Sequence, residues 1–438
     1  MTKNMMRRRT ALILPLGLLA SCATPKPKVV GTQIPVLPDT GALDVAVDAP
    51  PVSVPPAVPL DSWAQPLANA AHMPGNAAGP AGLSRHWAAS VGTAGGLRQP
   101  LLASPLLAGG QVFTMDADAA VMAFSATDGS RTWRRVTRPK HATEQNIGGG
   151  IGYDSGKIYA STGYGELLAL DAGSGKILWR QKLDFPTRTA PMIAGGLVAV
   201  VVQNDLLLTF DAGTGTPGWR FTGTVGDTSG AAVGITGAPA YADGILVAGF
   251  SSGTLAALDA NSGTPVWEQS LASSFGQASS LDFSDIVAAP VIANGVVYAI
   301  GLGNTVMAVD LHSGAKVWTH SAAGTQAFCV AGDFAYLLDK TQTLFAIHTD
   351  DGLVSWSFQM PPYHNMKHKK GPQLWVGPVM VNGVLLLTNS LGEIAMADPV
   401  AGKIDAIHKL AAPADMTPIA ADGLLIQLTR DARLTAYA

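Results

Sequence analysis

Along most of the chain, short apolar runs alternate with small clusters of glycine, aspartate, asparagine and serine. Residues 195–222, GGLVAVVVQNDLLLTFDAGTGTPGWRFT, show the pattern: apolar, β-branched stretches are bounded by pairs such as G-G and by D-A-G-T-G. Such clusters form the tight turns of antiparallel hairpins, and the runs between them have the length of ordinary strands. The pattern predicts an all-β protein of many short strands, and the 49 glycines agree with a large number of turns.

One phrase of this pattern occurs seven times. It usually joins an aspartate, a turn that ends in glycine, and a strand with tryptophan four residues after that glycine, as in LDAGSGKILWR at 170–180. The aligned glycines are Gly129, Gly175, Gly215, Gly263, Gly314, Gly352 and Gly402. The tryptophans are Trp133, Trp179, Trp219, Trp267, Trp318 and Trp356, whereas Ala406 stands in the seventh copy. Repetition at a period of about 40 to 50 residues indicates one structural unit per copy.

A second phrase, such as APMIAGGLVAVV at 190–201, occurs eight times and predicts the first two strands of each unit. The last copy, at 417–438, ends where its tryptophan phrase should begin, and Trp87 lies in an apolar strand that has no preceding strands of its own. If that N-terminal strand completes the last unit, eight four-stranded units close into a ring without a free sheet edge. The predicted fold is an eight-bladed β-propeller with four antiparallel strands per blade, in which the tryptophans cover the seams between blades.

The first 21 residues have the organisation of an export signal. Lys3 and three arginines precede TALILPLGLLAS, an apolar stretch too short to be a stable membrane anchor. The stretch ends in LASC at 19–22, which resembles the lipobox of bacterial lipoproteins. The resemblance implies cleavage before Cys22, acylation of Cys22 and, since Ala23 rather than Asp follows, sorting to the outer membrane. An ordinary signal peptide with a chance cysteine is the alternative, and the arginines leave the choice between Sec and twin-arginine export open.

The segment after the signal differs in composition from the rest of the chain. Residues 22–60 contain nine prolines and little apolar periodicity, which predicts a lipidated tether that is disordered or partly polyproline II. The propeller is expected over residues 61–438. Only one cysteine besides Cys22 exists, Cys329, so a lipidated Cys22 leaves no intrachain disulfide. Cys329 lies in an apolar strand and is expected to be an inert core residue.

The charge balance argues against nucleic acid as a partner. The net charge is −3, and removal of residues 1–21 would take away four basic residues and leave about −7. Binding to a nucleic acid backbone needs a basic face that contacts phosphate groups. We therefore expect protein or membrane partners instead.

Across about residues 61–438 the repeats resemble the tryptophan-docking repeats of pyrroloquinoline-quinone (PQQ)-type propellers, and SWAQPLANAAH at 62–72 is similar to the opening segment usual there. Two function classes share this ring. A quinoprotein dehydrogenase is typically longer and carries adjacent cysteines, a calcium site of Glu, Asn and Asp, and a catalytic Asp. This chain has no adjacent cysteine pair, and most of its acids are explained as turn aspartates. We therefore expect no enzymatic activity, no cofactor and no metal site.

The other class is the BamB family, which the chain resembles in its lipobox, its tether and its single ring of eight blades. The resemblance implies a scaffold of the outer-membrane β-barrel assembly complex, lipid-anchored at the periplasmic face of the outer membrane and monomeric within a hetero-complex. Its implied partners are a BamA-like core subunit and unfolded outer-membrane proteins. Another periplasmic protein- or ligand-binding propeller, or less readily a PQQ-dependent dehydrogenase, is the alternative.

The same resemblance implies where the core subunit binds. In SLDFSDIVAAPVIANGVVYAIG at 280–301, Asp285 matches the first acid of an S-D-x-D loop, but Val287 stands in place of the second. The preceding interblade loop, GAAVGITGAP at 230–239, supplies apolar residues but lacks the arginine of the family. The alternative is that both are simply solvated loops. The predicted partner-binding residues are Val233, Gly234, Ile235, Asp282 and Asp285.

A basic insertion, YHNMKHKKGPQLW at 363–375, lies between two repeats. His364 and His368 could bind a metal, but no third ligand is evident in the sequence. We expect a solvated loop that could touch anionic lipid head groups or a partner.

Overall fold

Short strands joined by tight turns make up the structure. The computed structural model describes residues 43–96, 98–223, 236–272 and 283–438, which belong to one compact unit, Thr40–Ala438. Cys22 and four of the predicted partner-binding residues, Val233, Gly234, Ile235 and Asp282, lie outside the described residues. The described ranges contain strands, turns and bends, and no helix.

Two strands precede the first repeat, and the first four blades follow with four strands each. The two strands are β1 (Asn76–Ala77) and β2 (Arg85–Ser90). Blades 1 and 2 are formed by β3 (Leu106–Ala108), β4 (Gln111–Met115), β5 (Val121–Ser125), β6 (Arg131–Arg135), β7 (Gly149–Asp154), β8 (Lys157–Thr162), β9 (Glu166–Asp171) and β10 (Ile177–Lys182). Blades 3 and 4 are formed by β11 (Met192–Ala194), β12 (Leu197–Val202), β13 (Leu206–Asp211), β14 (Pro217–Thr222), β15 (Ala240–Ala242), β16 (Ile245–Gly249), β17 (Thr254–Asp259) and β18 (Pro265–Ser270).

The second half of the ring adds one extra hairpin. Blades 5 and 6 are formed by β19 (Val291–Ala293), β20 (Val296–Ile300), β21 (Val306–Asp310), β22 (Lys316–His320), β23 (Cys329–Ala331), β24 (Phe334–Leu338), β25 (Thr343–His348) and β26 (Val354–Gln359). The hairpin is formed by β27 (Tyr363–Asn365) and β28 (Lys370–Pro372). Blade 7 and the first three strands of blade 8 are β29 (Trp375–Val381), β30 (Val384–Asn389), β31 (Glu393–Asp398), β32 (Lys403–Lys409), β33 (Ile419–Ala421), β34 (Leu424–Thr429) and β35 (Arg433–Tyr437).

Blade 8 closes the ring with strands from both ends of the chain. Its order is β2-β35-β34-β33, and β2 pairs antiparallel with β35, with Trp87 opposite Ala436. The eight-bladed β-propeller predicted from the repeats is therefore confirmed, including the N-terminal strand that completes the last blade. Closure matters because each apolar core cluster lies between neighbouring blades, as where β3–β5 pack against β7–β9.

The ring has two different faces. First strands of neighbouring blades contact one another, as β3, β7, β11, β15 and β19 do in turn, and the fourth strands lie at the opposite edges of the sheets. Connections from one blade to the next, and the turns between second and third strands, lie together on what we call the loop face. The other turns, between first and second and between third and fourth strands, form the hairpin face.

Seven of the eight seams are closed by a tryptophan that lies on a glycine of the next blade. A Cβ atom added to any of the seven repeat glycines would lie 2.5–2.7 Å from the ring or Cγ of that tryptophan, so the glycine is required for contact as well as for its positive φ. The indole N–H also donates to a turn carbonyl of the next blade in all seven pairs. The pairs are Trp87–Ala126 (2.8 Å), Trp133–Ala172 (2.8 Å), Trp179–Ala212 (3.2 Å), Trp219–Ala260 (2.9 Å), Trp267–Leu311 (2.7 Å), Trp318–Thr349 (2.9 Å) and Trp356–Pro399 (2.9 Å).

The pairing explains why the seventh phrase lacks tryptophan. Ala406 lies on β32, the outer strand of blade 7, and would face the turn between the third and fourth strands of blade 8. Blade 8 has no such turn, because those strands are β35 and β2 at opposite ends of the chain. Without a glycine turn on the neighbouring blade, a tryptophan at 406 would have no such site.

The turn aspartates behave as predicted. The Asp171 carboxylate accepts hydrogen bonds from the Ser174 hydroxyl (2.6 Å) and the Ser174 amide (2.8 Å), and these bonds lower the pKa of Asp171. Asp211 makes the same two bonds with Thr214. These carboxylates are therefore engaged in holding turns on the hairpin face.

Residues 58–78, here called the inner segment, connect the blades in a way that the sequence did not predict. The Gln65 side chain both donates to the Ile193 carbonyl (2.6 Å) and accepts from the Ile193 amide (3.0 Å) in blade 3. Backbone hydrogen bonds join the inner segment to five further blades. In addition, β1 pairs with β29 of blade 7. The backbone partners are Leu60–Asp422, Trp63–Leu107, Ala64–Tyr153, Ala70–Tyr241 and Ala71–Ile292.

The part of the predicted tether that the structure describes lies against blades 6 and 7. The Ala46 amide donates to the Val354 carbonyl (2.9 Å), and the Ser355 hydroxyl donates to the Pro50 carbonyl (2.8 Å). Val52 and Val54 pack on the core cluster of these two blades. Residues 43–57 are therefore held on the propeller by specific contacts, which their proline-rich composition did not reveal.

His72, in the inner segment, is a buried histidine held neutral. It is 1% exposed, and its Nδ1 donates to the Pro290 carbonyl (2.8 Å), because a carbonyl can only accept. Burial lowers the pKa of His72 from 6.5 to about 4, against a smaller opposing effect of the Pro290 hydrogen bond. The unfolded chain therefore binds a proton more readily than the folded protein between these two values. The stability that this provides is fully present above pH 6.5 and is lost as the pH falls towards 4.

We expect Trp267→Ala to lower the free energy of unfolding by about 3–5 kcal/mol, because it removes a buried ring and leaves a cavity in the seam. Trp267→Phe keeps an aromatic ring but removes the N–H bonded to Leu311, and should cost less. Urea unfolding followed by circular dichroism measures both. Equal stability of Trp267→Ala and the parent chain would show that this seam does not depend on the tryptophan.

We expect His72→Asn to weaken the dependence of stability on pH. Asparagine can still donate to the Pro290 carbonyl and tolerates the positive φ of this position, but it has no proton to gain. Between pH 7 and pH 4 the free energy of unfolding of the parent chain should fall by about 3 kcal/mol more than that of the variant. This difference comes from the lowered pKa of His72 alone. Urea midpoints at a series of pH values test this, and parallel curves for the two proteins would contradict it.

Candidate partner-binding face

The two loops predicted to bind a partner meet on the loop face. They precede β15 and β19, the first strands of blades 4 and 5, and the Gly237 amide donates to the Ile286 carbonyl across them (3.3 Å). A Cβ atom at Gly237 would lie 2.4 Å from the backbone of Ala289, so only glycine allows this approach. The described parts of the two loops, 236–237 and 283–287, are therefore neighbours in the structure.

Ile286 anchors the second loop in the core. It is fully buried in the cluster between blades 4 and 5, and its amide donates to the Phe250 carbonyl (3.1 Å). Gly249 makes room for it, because a Cβ atom there would lie 2.4 Å from Ile286 Cγ2. The loop is thus fixed by packing close to the point where it reaches the surface.

The structure places Asp285 inside this loop and not on its surface. Its side chain is fully buried, and its carbonyl accepts a hydrogen bond from the Leu302 amide (3.0 Å) in blade 5. A direct contact between this carboxylate and a basic group of a partner would require the loop to rearrange. The role of Asp285 in partner binding stays a prediction, and its burial favours a part in shaping the loop.

Phe283 is the most exposed residue in the described part of this loop, 283–287. It is 40% exposed and lies two positions before Asp285, and Thr236 of the first loop is half-buried. Sequence reasoning concentrated on the acids and missed Phe283, although an aromatic residue within the polar stretch 280–285 was a visible signal. Exposed aromatic side chains are enriched where proteins bind one another.

Hydrogen bonds join the loop-face turns of blades 3 and 4 next to the first of these loops. Asp205, in the turn between β12 and β13, accepts hydrogen bonds from the amide and hydroxyl of Ser251 (2.8 and 2.5 Å) and from the Ser252 amide (2.9 Å). These bonds tie the loop-face turns of blades 3 and 4 together. A cleft of about 20 Å³ between them is bordered by Arg188, Asp205 and Thr236, a volume that holds about one water molecule.

Other interblade loops on the same face also expose large apolar side chains. They precede blades 1, 2 and 3, and each places one such residue at the surface. These residues are Leu102 (42% exposed), Ile147 (40% exposed) and Phe185 (38% exposed). The loop face therefore carries a series of separate apolar contact points arranged around the ring.

Metal-ligand and thiol groups can be located directly in the described ranges. No group of three or more His, Cys, Asp or Glu side chains in the described ranges could hold a metal ion. Cys329 is buried, as predicted, and burial raises the pKa of its thiol to about 12. Over the same part of the chain, no helix is long and apolar enough to cross a membrane.

Eight four-stranded blades locked by tryptophan and glycine define an eight-bladed β-propeller of the PQQ-like class. The family model described as "Outer membrane protein assembly factor BamB" matches residues 87–146 and 138–358, more than half of the chain. The chain belongs to the BamB family.

A curated relative agrees with this membership, and solved structures share the fold. A protein of Yersinia pestis named outer membrane protein assembly factor BamB is 26% identical over 352 residues, which are 78% of this chain and 85% of the relative. The crystal structure of BamB from Moraxella catarrhalis matches with a TM-score of 0.65 at 17% identity, over 82% of this chain and 98% of that one. The quinohemoprotein alcohol dehydrogenase from Comamonas testosteroni matches with a TM-score of 0.67 at 13% identity, over 84% and 76% of the two chains. At such identities the structural matches show the fold alone.

Proposed function

We propose that this protein is a non-enzymatic scaffold in the assembly of outer-membrane β-barrel proteins. It binds a BamA-like core subunit through the loop face of blades 4 and 5 and aids the folding and insertion of unfolded outer-membrane proteins. The observation that carries the proposal is the pair of adjoining loops at 236–237 and 283–287, anchored by the buried Ile286 and exposing Phe283, in a chain of the BamB family.

The arrangement supports a binding role because it presents loops without presenting reactive groups. A ring holds its loops at fixed positions, so a partner meets a preformed surface. The loops then lose little conformational entropy on binding. The exposed aromatic side chains of Phe185 and Phe283 lie on the loops before blades 3 and 5. The loop that contains Val233, Gly234 and Ile235 lies between them in sequence and supplies further apolar residues.

We expect Phe283→Glu, alone or with Ile235→Glu, to reduce co-purification of a BamA-like subunit from detergent-solubilised membranes by at least about tenfold, since removing a central aromatic anchor costs about 2 kcal/mol or more. Val317→Glu is the matched control, because Val317 is 38% exposed but lies on the outer strand of blade 5. The melting temperatures of all variants should stay close to that of the parent chain.

Undiminished co-purification of the folded Phe283→Glu, Ile235→Glu double variant would overturn this binding surface. Asp285→Arg is unsuitable for the test, because a buried charge of opposite sign would destabilise the loop and confuse unfolding with loss of binding.

We further propose that the protein is attached to the periplasmic face of the outer membrane through lipid on Cys22. The support is the sequence LASC at 19–22 directly after a short apolar stretch that follows three arginines. The segment between Cys22 and the first described residue, Leu43, would then join the lipid to the propeller.

We expect Cys22→Ser to abolish acylation and move the protein from the membrane pellet to the soluble periplasmic fraction. Mass spectrometry of the N-terminal peptide and fractionation after a salt wash measure the two effects. A wild-type chain without fatty acid at Cys22, together with a variant that stays in the pellet, would contradict the anchor and leave the binding surface untouched.

A further inference from the structure

The hairpin β27–β28 concentrates positive charge in a chain that is otherwise negative. Lys367, Lys369 and Lys370 lie at or beside its tip, together with His368, and all four are exposed. No aspartate or glutamate occurs between Asp351 and Glu393, whereas the whole chain has a net charge of −3. The hairpin is therefore a local basic element between blades 6 and 7, on the loop face.

The base of the hairpin is fixed to the propeller. The Gln373 amide donates to the Pro362 carbonyl (3.0 Å), and its side chain donates to the Pro361 carbonyl (2.8 Å). Trp375, fully buried, donates its indole N–H to the same Pro361 carbonyl (2.9 Å). On β27, the Nδ1 atom of His364 lies 3.3 Å from the Oε1 atom of Glu393 in blade 7. The hairpin is thus held in a fixed orientation by contacts that leave its lysines outside.

Exposed apolar side chains lie at the tip of the hairpin and beside its base. Met366 is 57% exposed at the turn, whose geometry is set by a hydrogen bond from the His368 amide to the Asn365 side chain (3.1 Å). Leu374 (65% exposed) follows the hairpin, and Leu391 (42% exposed) lies beside Gly371. None of the three lysines forms an ion pair with another residue in the part of the chain that the structure describes.

We propose that this hairpin docks on an anionic lipid surface, with the lysines contacting phosphate groups and Met366 entering the boundary between head groups and acyl chains. Clustered lysines beside exposed apolar side chains fit such a surface, where each basic residue contributes through the surface potential. Lysine is depleted in protein–protein interfaces, whereas its flexible, point-like charge suits phosphates in variable positions. The proposal rests on the hairpin alone and does not depend on the partner-binding surface at Phe283.

The direct test places an environment-sensitive fluorophore at the tip. The full chain carrying Cys22→Ser and Met366→Cys is labelled at position 366, since Cys329 is buried and inaccessible to the reagent. Vesicles containing about 30% phosphatidylglycerol in phosphatidylcholine should increase and blue-shift the emission, and vesicles of phosphatidylcholine alone should not. High salt should reverse the change, because it screens charges at the surface.

The lysines are tested in the same assay and by vesicle sedimentation. Lys367→Gln, Lys369→Gln and Lys370→Gln combined should weaken binding to the anionic vesicles by about tenfold or more. The matched control removes the same charge elsewhere, with Lys176→Gln, Lys182→Gln and Lys316→Gln, which are exposed lysines on outer strands or turns of blades 2 and 5. This control should bind as the parent chain does, and circular dichroism should show both triple variants folded.

Equal loss of binding in the two triple variants would overturn the proposal, because it would show an effect of net charge only. An unchanged emission at position 366 with anionic vesicles would overturn it too. So would loss of a co-purifying acidic protein from the hairpin variant without any response to vesicles, since the hairpin would then be a protein-binding element.

Discussion

The contact between a tryptophan of one blade and a glycine of the next is the constraint on which the ring depends. In the ranges that the structure describes, the outer strands of neighbouring blades belong to separate sheets, so side chains close the seam. A flat indole lying on a bare Cα brings the blades close enough to exclude water, and its N–H donates to a turn carbonyl of the next blade. Any side chain in place of the glycine would push the two blades apart.

Closure of the ring uses the N-terminal part of the chain twice. Strand β2 completes blade 8, and the inner segment adds hydrogen bonds to seven of the eight blades, counted over the described residues. An ordinary propeller blade contacts only its two neighbours, so a segment that joins many blades couples them directly. His72 belongs to this segment and contacts Pro290, immediately before β19. The segment therefore also fixes the strand that follows the candidate partner-binding loop.

A ring supported in this way can carry separate binding elements on one face without changing shape. The adjoining loops of blades 4 and 5 expose Phe283, whereas the hairpin before blade 7 exposes three lysines and Met366. The first suits a protein partner, because it is aromatic and rigid, and the second suits a surface of phosphates. Both lie on the loop face, two blades apart, so a protein held at a membrane could use them at the same time.

The sequence by itself determined the fold, because the pattern that defines a blade is local. Each strand, turn and tryptophan of a repeat lies within about 50 residues of its neighbours in the chain, and the incomplete units at the two ends indicated how the ring closes. The same local phrases correctly gave the turn aspartates and the buried Cys329. The resemblance of residues 62–72 to the opening segment of PQQ-type propellers could also be recognised from the sequence. Nothing in that segment's sequence, however, specified which blades it contacts.

Only the tertiary structure decided which residues of the loops face solvent. A loop has no repeating pattern of apolar residues, so the burial of each residue depends on what packs against it from other blades. Ile286, for example, packs against Gly249 in the core between blades 4 and 5. This packing buries Asp285, which the sequence proposed as a surface charge, and exposes Phe283, which it overlooked. It also holds residues 43–57 on blades 6 and 7, because their proline carbonyls and valine side chains meet partners about 300 residues away in the chain.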